Sequence, residues 1–104
     1  MECYKIMTSI KNFQKLMEKI YIQRDSKRGK ENTMLWLMTE VGEFANALIK
    51  GNKKDLENEA ADVLAWLCSE CNLLGIDLEK VAVMKYDRKC PKCKSMPCAC
   101  NNIP

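Results

Sequence analysis

A chain of 104 residues with 47% hydrophobic and 30% charged residues has room for one folded domain, and its composition excludes wholesale disorder. Four Gly and three Pro are too few for a turn-dense sandwich or small barrel, and no apolar run approaches the ~20 residues that span a bilayer. The net charge of +3 permits a polyanionic ligand without demanding nucleic acid, and zero histidines removes Ser-His-Asp and Cys-His triads, imidazole acid-base catalysis and His-based metal centres. Chemistry in this chain must come from carboxylates, cysteines, lysines or bound metal.

The start, Met1-Glu2-Cys3-Tyr4-Lys5, has no apolar stretch of secretory type, so the expected location is cytoplasmic. A first helix is predicted from about Ser9 to Gln23, capped by Thr8 or Ser9, with Ile10, Phe13, Leu16, Met17 and Ile20 forming its apolar stripe. The charged segment Arg24-Asp25-Ser26-Lys27-Arg28-Gly29-Lys30, with its Gly breaker, reads as the end of that helix. A second helix is predicted over Thr33 to Lys50, capped near Asn32 or Thr33, with Gly51 at the left-handed C-cap position. Asn52 is the expected N-cap of a third helix, with Asp55 in its first turn, running to Leu74 and stopping at Gly75. Asp77 caps a fourth, from Leu78 to about Tyr86, and Pro91 prevents helix beyond it.

The fold class expected is all-α. The short Gly51-Asn52 link makes the second and third helices an antiparallel hairpin. Val63-Leu64-Ala65-Trp66-Leu67-Cys68 is apolar on every side, which one small hairpin cannot cover, so the bundle is expected to be completed by homo-oligomerisation, as a dimer or tetramer. The chain divides into a helical domain, 1–89, and a Cys-rich tail, 90–104.

Two acid pairs stand out. Glu40 and Glu43 lie three apart on the second helix, and Glu59 and Asp62 three apart on the third, so each pair shares a helical face beside the apolar stripe. A solvated surface face is the plain alternative. Antiparallel pairing could instead bring the four acids together, a costly arrangement unless a cation sits among them. Mg²⁺, a hard oxygen-seeking ion that also accepts phosphate oxygens, is the natural occupant.

The run Leu35-Trp36-Leu37-Met38-Thr39-Glu40-Val41-Gly42-Glu43-Phe44-Ala45-Asn46-Ala47-Leu48, followed by Glu59-Ala60-Ala61-Asp62-Val63-Leu64, resembles the signature of MazG-type nucleotide pyrophosphohydrolases of the all-α NTP pyrophosphatase group. Gly75-Ile76-Asp77-Leu78-Glu79 and Lys85-Tyr86 extend the likeness, which covers roughly Asn32 to Tyr86. The resemblance implies that Glu40, Glu43, Glu59 and Asp62 are Mg²⁺ ligands and catalytic residues, and that the activity is Mg²⁺-dependent cleavage of (d)NTP to (d)NMP and pyrophosphate. One departure is Thr39, where the family often carries a further Glu.

Triphosphate binding needs more cations than the metal. Lys85 and Arg88 are the first candidates, Lys27, Arg28 and Lys30 the second, with Trp36 or Tyr86 as a stacking surface for the base. Solvated surface charge, and for Trp36 core packing, are the competing readings. In the tail, Cys90-Pro91-Lys92-Cys93 and Cys98-Ala99-Cys100 place four sulfurs within eleven residues, a set suited to structural Zn²⁺, with disulfides or free thiols as alternatives. Cys68 and Cys71 read as core packing. The expected partners are thus a nucleoside triphosphate and further copies of the chain, with no membrane and no nucleic acid. The competing class is a non-catalytic dimeric helical module whose basic zinc tail binds nucleic acid or protein. A third keeps the fold and binds nucleotide without turnover.

Overall fold

The computed structural model describes residues 9–102. Four helices follow in order: α1 (Ile10–Arg28), α2 (Lys30–Lys50), α3 (Lys53–Leu74) and α4 (Leu78–Lys85), with no strand among the described residues. The fold is all-α, as the periodicity implied. Thr8 and Cys3 lie outside the described residues.

The caps follow from the local sequence. Ser9 accepts a hydrogen bond from Asn12 N, Asn52 from Asp55 N and Asp77 from Lys80 N, so each side chain satisfies one free amide of a first turn. Gly51 (φ 77°) and Gly75 (φ 69°) end α2 and α3 in the left-handed region, each donating its N–H back into the helix, to Ala47 O and Cys71 O.

The α1–α2 junction differs from expectation. Helix α1 continues to Arg28, five residues past Gln23, and α2 begins at Lys30. The charged segment remains helical because Lys27 and Arg28 suit the negative end of the dipole and Arg28 pairs with Asp25 one turn back. Gly29 alone joins the two helices, at φ 83° and ψ 159°.

Helix α3 is the centre of the bundle, packing along α2 and against α1. Among the described residues, Met17, Leu37, Ala47, Cys68 and Cys71 are the buried apolar side chains. Cys68 and Cys71 therefore pack as expected, and burial, with Cys71 alongside, pushes the Cys68 thiol up to about 11. Buried Gln14 ties α1 to the α3–α4 corner. Its amide donates to Asn72 Oδ1 (3.0 Å) and Ile76 O (2.7 Å) and accepts from Leu78 N (3.1 Å), while Asn72 Nδ2 donates to Gln14 O (3.1 Å).

Full burial of the apolar run on α3 is not seen within one chain. Val63, Ala65, Trp66 and Leu67 are half-buried and Leu64 is exposed. Leu35, Met38, Leu48 and Ile49 on α2 are also exposed, as are Val83 and Met84 on α4.

Candidate functional site

The hairpin sets the site's register. Glu40 and Asp62 lie eleven residues before and after Gly51, and Trp36 and Trp66 fifteen before and after, so each pair sits level across antiparallel helices. The indoles stack, with ring centroids 5.9 Å apart and planes 18° from parallel. One turn nearer the corner, Glu40, Glu59 and Asp62 bring one carboxylate oxygen each to within 4.8 Å of one another. Glu43 falls outside that trio and acts on it as a neighbouring charge.

The acids oppose each other electrostatically. Burial, then the charges of Asp62 and Glu43, raise Glu40 above the ordinary carboxylate range. Glu59 is raised by desolvation first, then by Glu43, Asp62 and Glu40. Glu40 and Glu59 are half-buried and Asp62 is exposed, so the cluster opens to solvent. Thr39 does not extend it, since its hydroxyl donates to Leu35 O (3.1 Å) of its own helix.

Beside the acids, a cleft of about 230 Å³ between α1 and α3 is lined by Tyr21, Arg24, Asp25, Arg28, Asp62 and Trp66, among others. Asp62 thus belongs both to the cluster and to the cleft. Arg28 Nη1 donates to Asp25 Oδ1 (2.9 Å) and Thr33 Oγ1 (3.3 Å), and the guanidinium lies over the Trp66 ring. Of the residues proposed from sequence to bind substrate, Arg28 lines the cleft and Trp36 stacks on its wall. Lys27, Lys85, Tyr86 and Arg88 do not line it. Lys85 lies 5.6 Å from the Tyr86 ring centroid, and exposed Arg88 pairs with Asp87. Sequence reasoning missed Arg24, Asp25 and Trp66 as cleft residues. The signal was the i,i+3 spacing of Asp25 and Arg28 inside a segment that read as a helix end.

The tail forms a second cluster. Cys90, Cys93, Cys98 and Cys100 place their sulfurs within 4.8 Å of one another, with Cys90–Cys100 at 3.8 Å and Cys93–Cys98 at 3.9 Å. A tetrahedron of sulfurs at the usual Zn–S distance has edges of about 3.8 Å. Ala99 N (3.2 Å) donates to Cys93 Sγ, and Cys100 N (3.4 Å) to Cys98 Sγ. The bond from Ala99, then that from Ser95, holds the Cys93 thiol down at about 6. Lys94 N to Cys90 O (2.8 Å) and Cys90 N to Ser95 O (2.9 Å) close the loop, with Lys94 at φ 63°.

A family model for the MazG nucleotide pyrophosphohydrolase domain matches residues 28–94, more than half of the chain. The chain belongs to this family. The MazG match takes in Glu40, Glu43, Glu59 and Asp62, both tryptophans and the CxxC half of the tail, and stops before Cys98 and Cys100. No curated protein matches the chain. Membership of the MazG family sets nucleotide pyrophosphohydrolysis as the general functional class and a divalent metal as its usual requirement. The donor set fits such an ion: three carboxylates, each with an oxygen within 4.8 Å of the others, offer the hard oxygen ligands that divalent cations of this kind take. Among the described residues, no helix is long and apolar enough to cross a membrane.

Proposed function

We propose that this MazG domain is a Mg²⁺-dependent nucleoside triphosphate pyrophosphohydrolase that converts (d)NTP to (d)NMP and pyrophosphate. The observation that carries the reading is the meeting of Glu40, Glu59 and Asp62, the last of which also lines a cleft that holds arginines. Glu40, Glu59 and Asp62 would hold the metal, with Glu43 completing the set by a change of rotamer. Bound Mg²⁺ supplies positive charge to the phosphate oxygens and lowers the pKa of a coordinated water. Arg24 and Arg28 face the same space and suit the remaining phosphate charge. Water oxygen adds to the α-phosphorus, the α–β bridging bond breaks, pyrophosphate leaves, and a carboxylate of the cluster accepts the proton of the water. Lys27, Lys85 and Arg88 serve as outer cations and Tyr86 as a peripheral contact to substrate. Trp36 supports the wall made by Trp66.

The tail is proposed to hold a structural Zn²⁺ on Cys90, Cys93, Cys98 and Cys100, which separates residues 90–104 from the MazG-like domain at 1–89. The exposed apolar side chains of α2 and α4 are proposed to be covered by further copies of the chain in a homodimer or homotetramer. A reducing cytoplasm suits four unpaired tail sulfurs.

Pyrophosphate release from a panel of NTPs and dNTPs with Mg²⁺ tests the reading. Glu43→Ala and Asp62→Ala are expected to abolish it with the fold retained. No turnover of any nucleotide, together with salt-sensitive binding of nucleic acid through the tail, would favour the non-catalytic module instead.

A further inference from the structure

The net charge of +3 hides an asymmetry. Residues 1–84 hold 12 Lys and Arg against 13 Asp and Glu, whereas residues 85–104 hold five against one, so the excess positive charge lies in the last twenty residues. Lys85, Arg88, Lys89, Lys92 and Lys94 are all exposed. Arg88 pairs with adjacent Asp87 and Lys85 lies near the Tyr86 ring, while Lys89, Lys92 and Lys94 have no acidic partner among the described residues. The loop gathers these cations. Lys94 N donates to Cys90 O (2.8 Å) and Cys90 N to Ser95 O (2.9 Å), which folds Lys94 back toward Lys89. The four tail sulfurs converge to within 4.8 Å, and Lys92 and Lys94 are turned to solvent between them. Even a zinc ion on four thiolates, a net dianion, leaves the segment positive. Tyr86, at 60% exposure, and Met96, at 75%, add apolar surface beside the cations.

We propose that residues 85–96 form a binding surface for single-stranded nucleic acid. Unpaired cations beside an exposed aromatic ring match a ligand that presents phosphates and open base faces together. The lysines follow the backbone, and Tyr86 stacks a base. A duplex hides its base faces, and residues 90–102 contain no helix or strand to enter a groove. An acidic polypeptide offers charge but no base to stack on the ring. The surface lies outside the cleft between α1 and α3, since none of the cleft's lining residues belongs to it. It goes beyond the hydrolase reading and shares with it only the outer cations Lys85 and Arg88 and the contact at Tyr86.

Fluorescence anisotropy of a short labelled oligothymidylate mixed with the full chain tests this. The strand is expected to bind at low salt, with the logarithm of affinity falling against that of salt at a slope of about −3, the value for roughly four neutralised phosphates. A Lys89→Gln, Lys92→Gln, Lys94→Gln variant should flatten that slope by about 2, with circular dichroism confirming the fold. The strand should also bind about fivefold or more tightly than a duplex of equal length or polyglutamate, because only unpaired bases can stack on the ring. No binding at low salt, equal or tighter binding of duplex or polyglutamate, or an unchanged slope in the variant would overturn the proposal. Should the variant not fold, the comparison of the three polyanions on the unaltered protein decides alone. Pyrophosphate release separates the two readings. Turnover without strand binding sinks only the tail surface, and strand binding without turnover sinks only the hydrolase.

Discussion

The guanidinium of Arg28 lies 4.7 Å from the centroid of the Trp66 ring, at the point where the last turn of α1 meets the middle of α3. The same group bonds Asp25 and Thr33, both of which are almost wholly buried. One cation therefore joins α1, α2 and α3 beside the acid cluster.

Replacing Arg28 by Met would leave the Asp25 carboxylate buried with neither oxygen paired. A loss of about 3 kcal/mol in urea unfolding is expected, at the lower end of what breaking a buried pair costs because Arg28 keeps some exposure to solvent. Arg28→Lys should recover part of this, since an ammonium retains charge but neither the planar fork nor the stacking on Trp66. A loss under about 0.5 kcal/mol for Arg28→Met would show that the network does not hold the helices together.

The raised carboxylates give a pH dependence of definite sign. Glu40 and Glu59 bind protons more readily folded than unfolded, so between the ordinary carboxylate pKa and their raised values the native state holds more protons. Their contribution to stability consequently falls as pH rises through that window. Metal-free protein should lose melting temperature across it, and a Glu40→Gln, Glu59→Gln double variant should show a flatter profile. At neutral pH, Mg²⁺ should raise the melting temperature of the parent protein and leave the double variant almost unmoved.

For the tail, purified protein should carry one zinc per chain, and Cys93→Ser should lose it. Elemental analysis reads the metal directly. Paired sulfurs in metal-free protein, detected as a mass lower by the lost hydrogens, would replace zinc with disulfides.

Gln14 holds the short helix α4 in place through Leu78 N and Ile76 O. Gln14→Ala leaves these groups without their partner and should cost about 1–3 kcal/mol. Amide exchange should rise first at residues 78–85. Unchanged protection there would show that half-buried Leu78 and Ala82 dock α4 without the amide.

Much of this architecture is legible in one-dimensional form because its determinants are local. Asn52 and Asp77 cap where an Asx residue precedes a periodic segment, and Gly51 and Gly75 stop helices where a left-handed residue is needed. The level pairing of Glu40 with Asp62 follows once Gly51 is recognised as the corner. The separation of Glu43 from the trio is not legible, because residues three apart on a helix differ by about 60° in direction and only packing decides which points inward. Asp25 was opaque for a different reason. Its burial depends on α1 continuing five residues past Gln23, and a run of Arg, Asp, Ser and Lys gives no apolar periodicity to announce that. The tail is the opposite case, since CxxC and CxC spacing alone confines four sulfurs to a small volume.

The single-residue joint at Gly29 makes the bundle intolerant of length changes at one place. An inserted residue continuing α1 would swing everything beyond it by about 100° around the axis and shift it about 1.5 Å along it, so the helices could not both keep their present seats. The two-residue corner at Gly51-Asn52 is exposed, as are the residues on both sides, and lies about two to three turns from the acids, so a peptide graft or fluorescent tag belongs there.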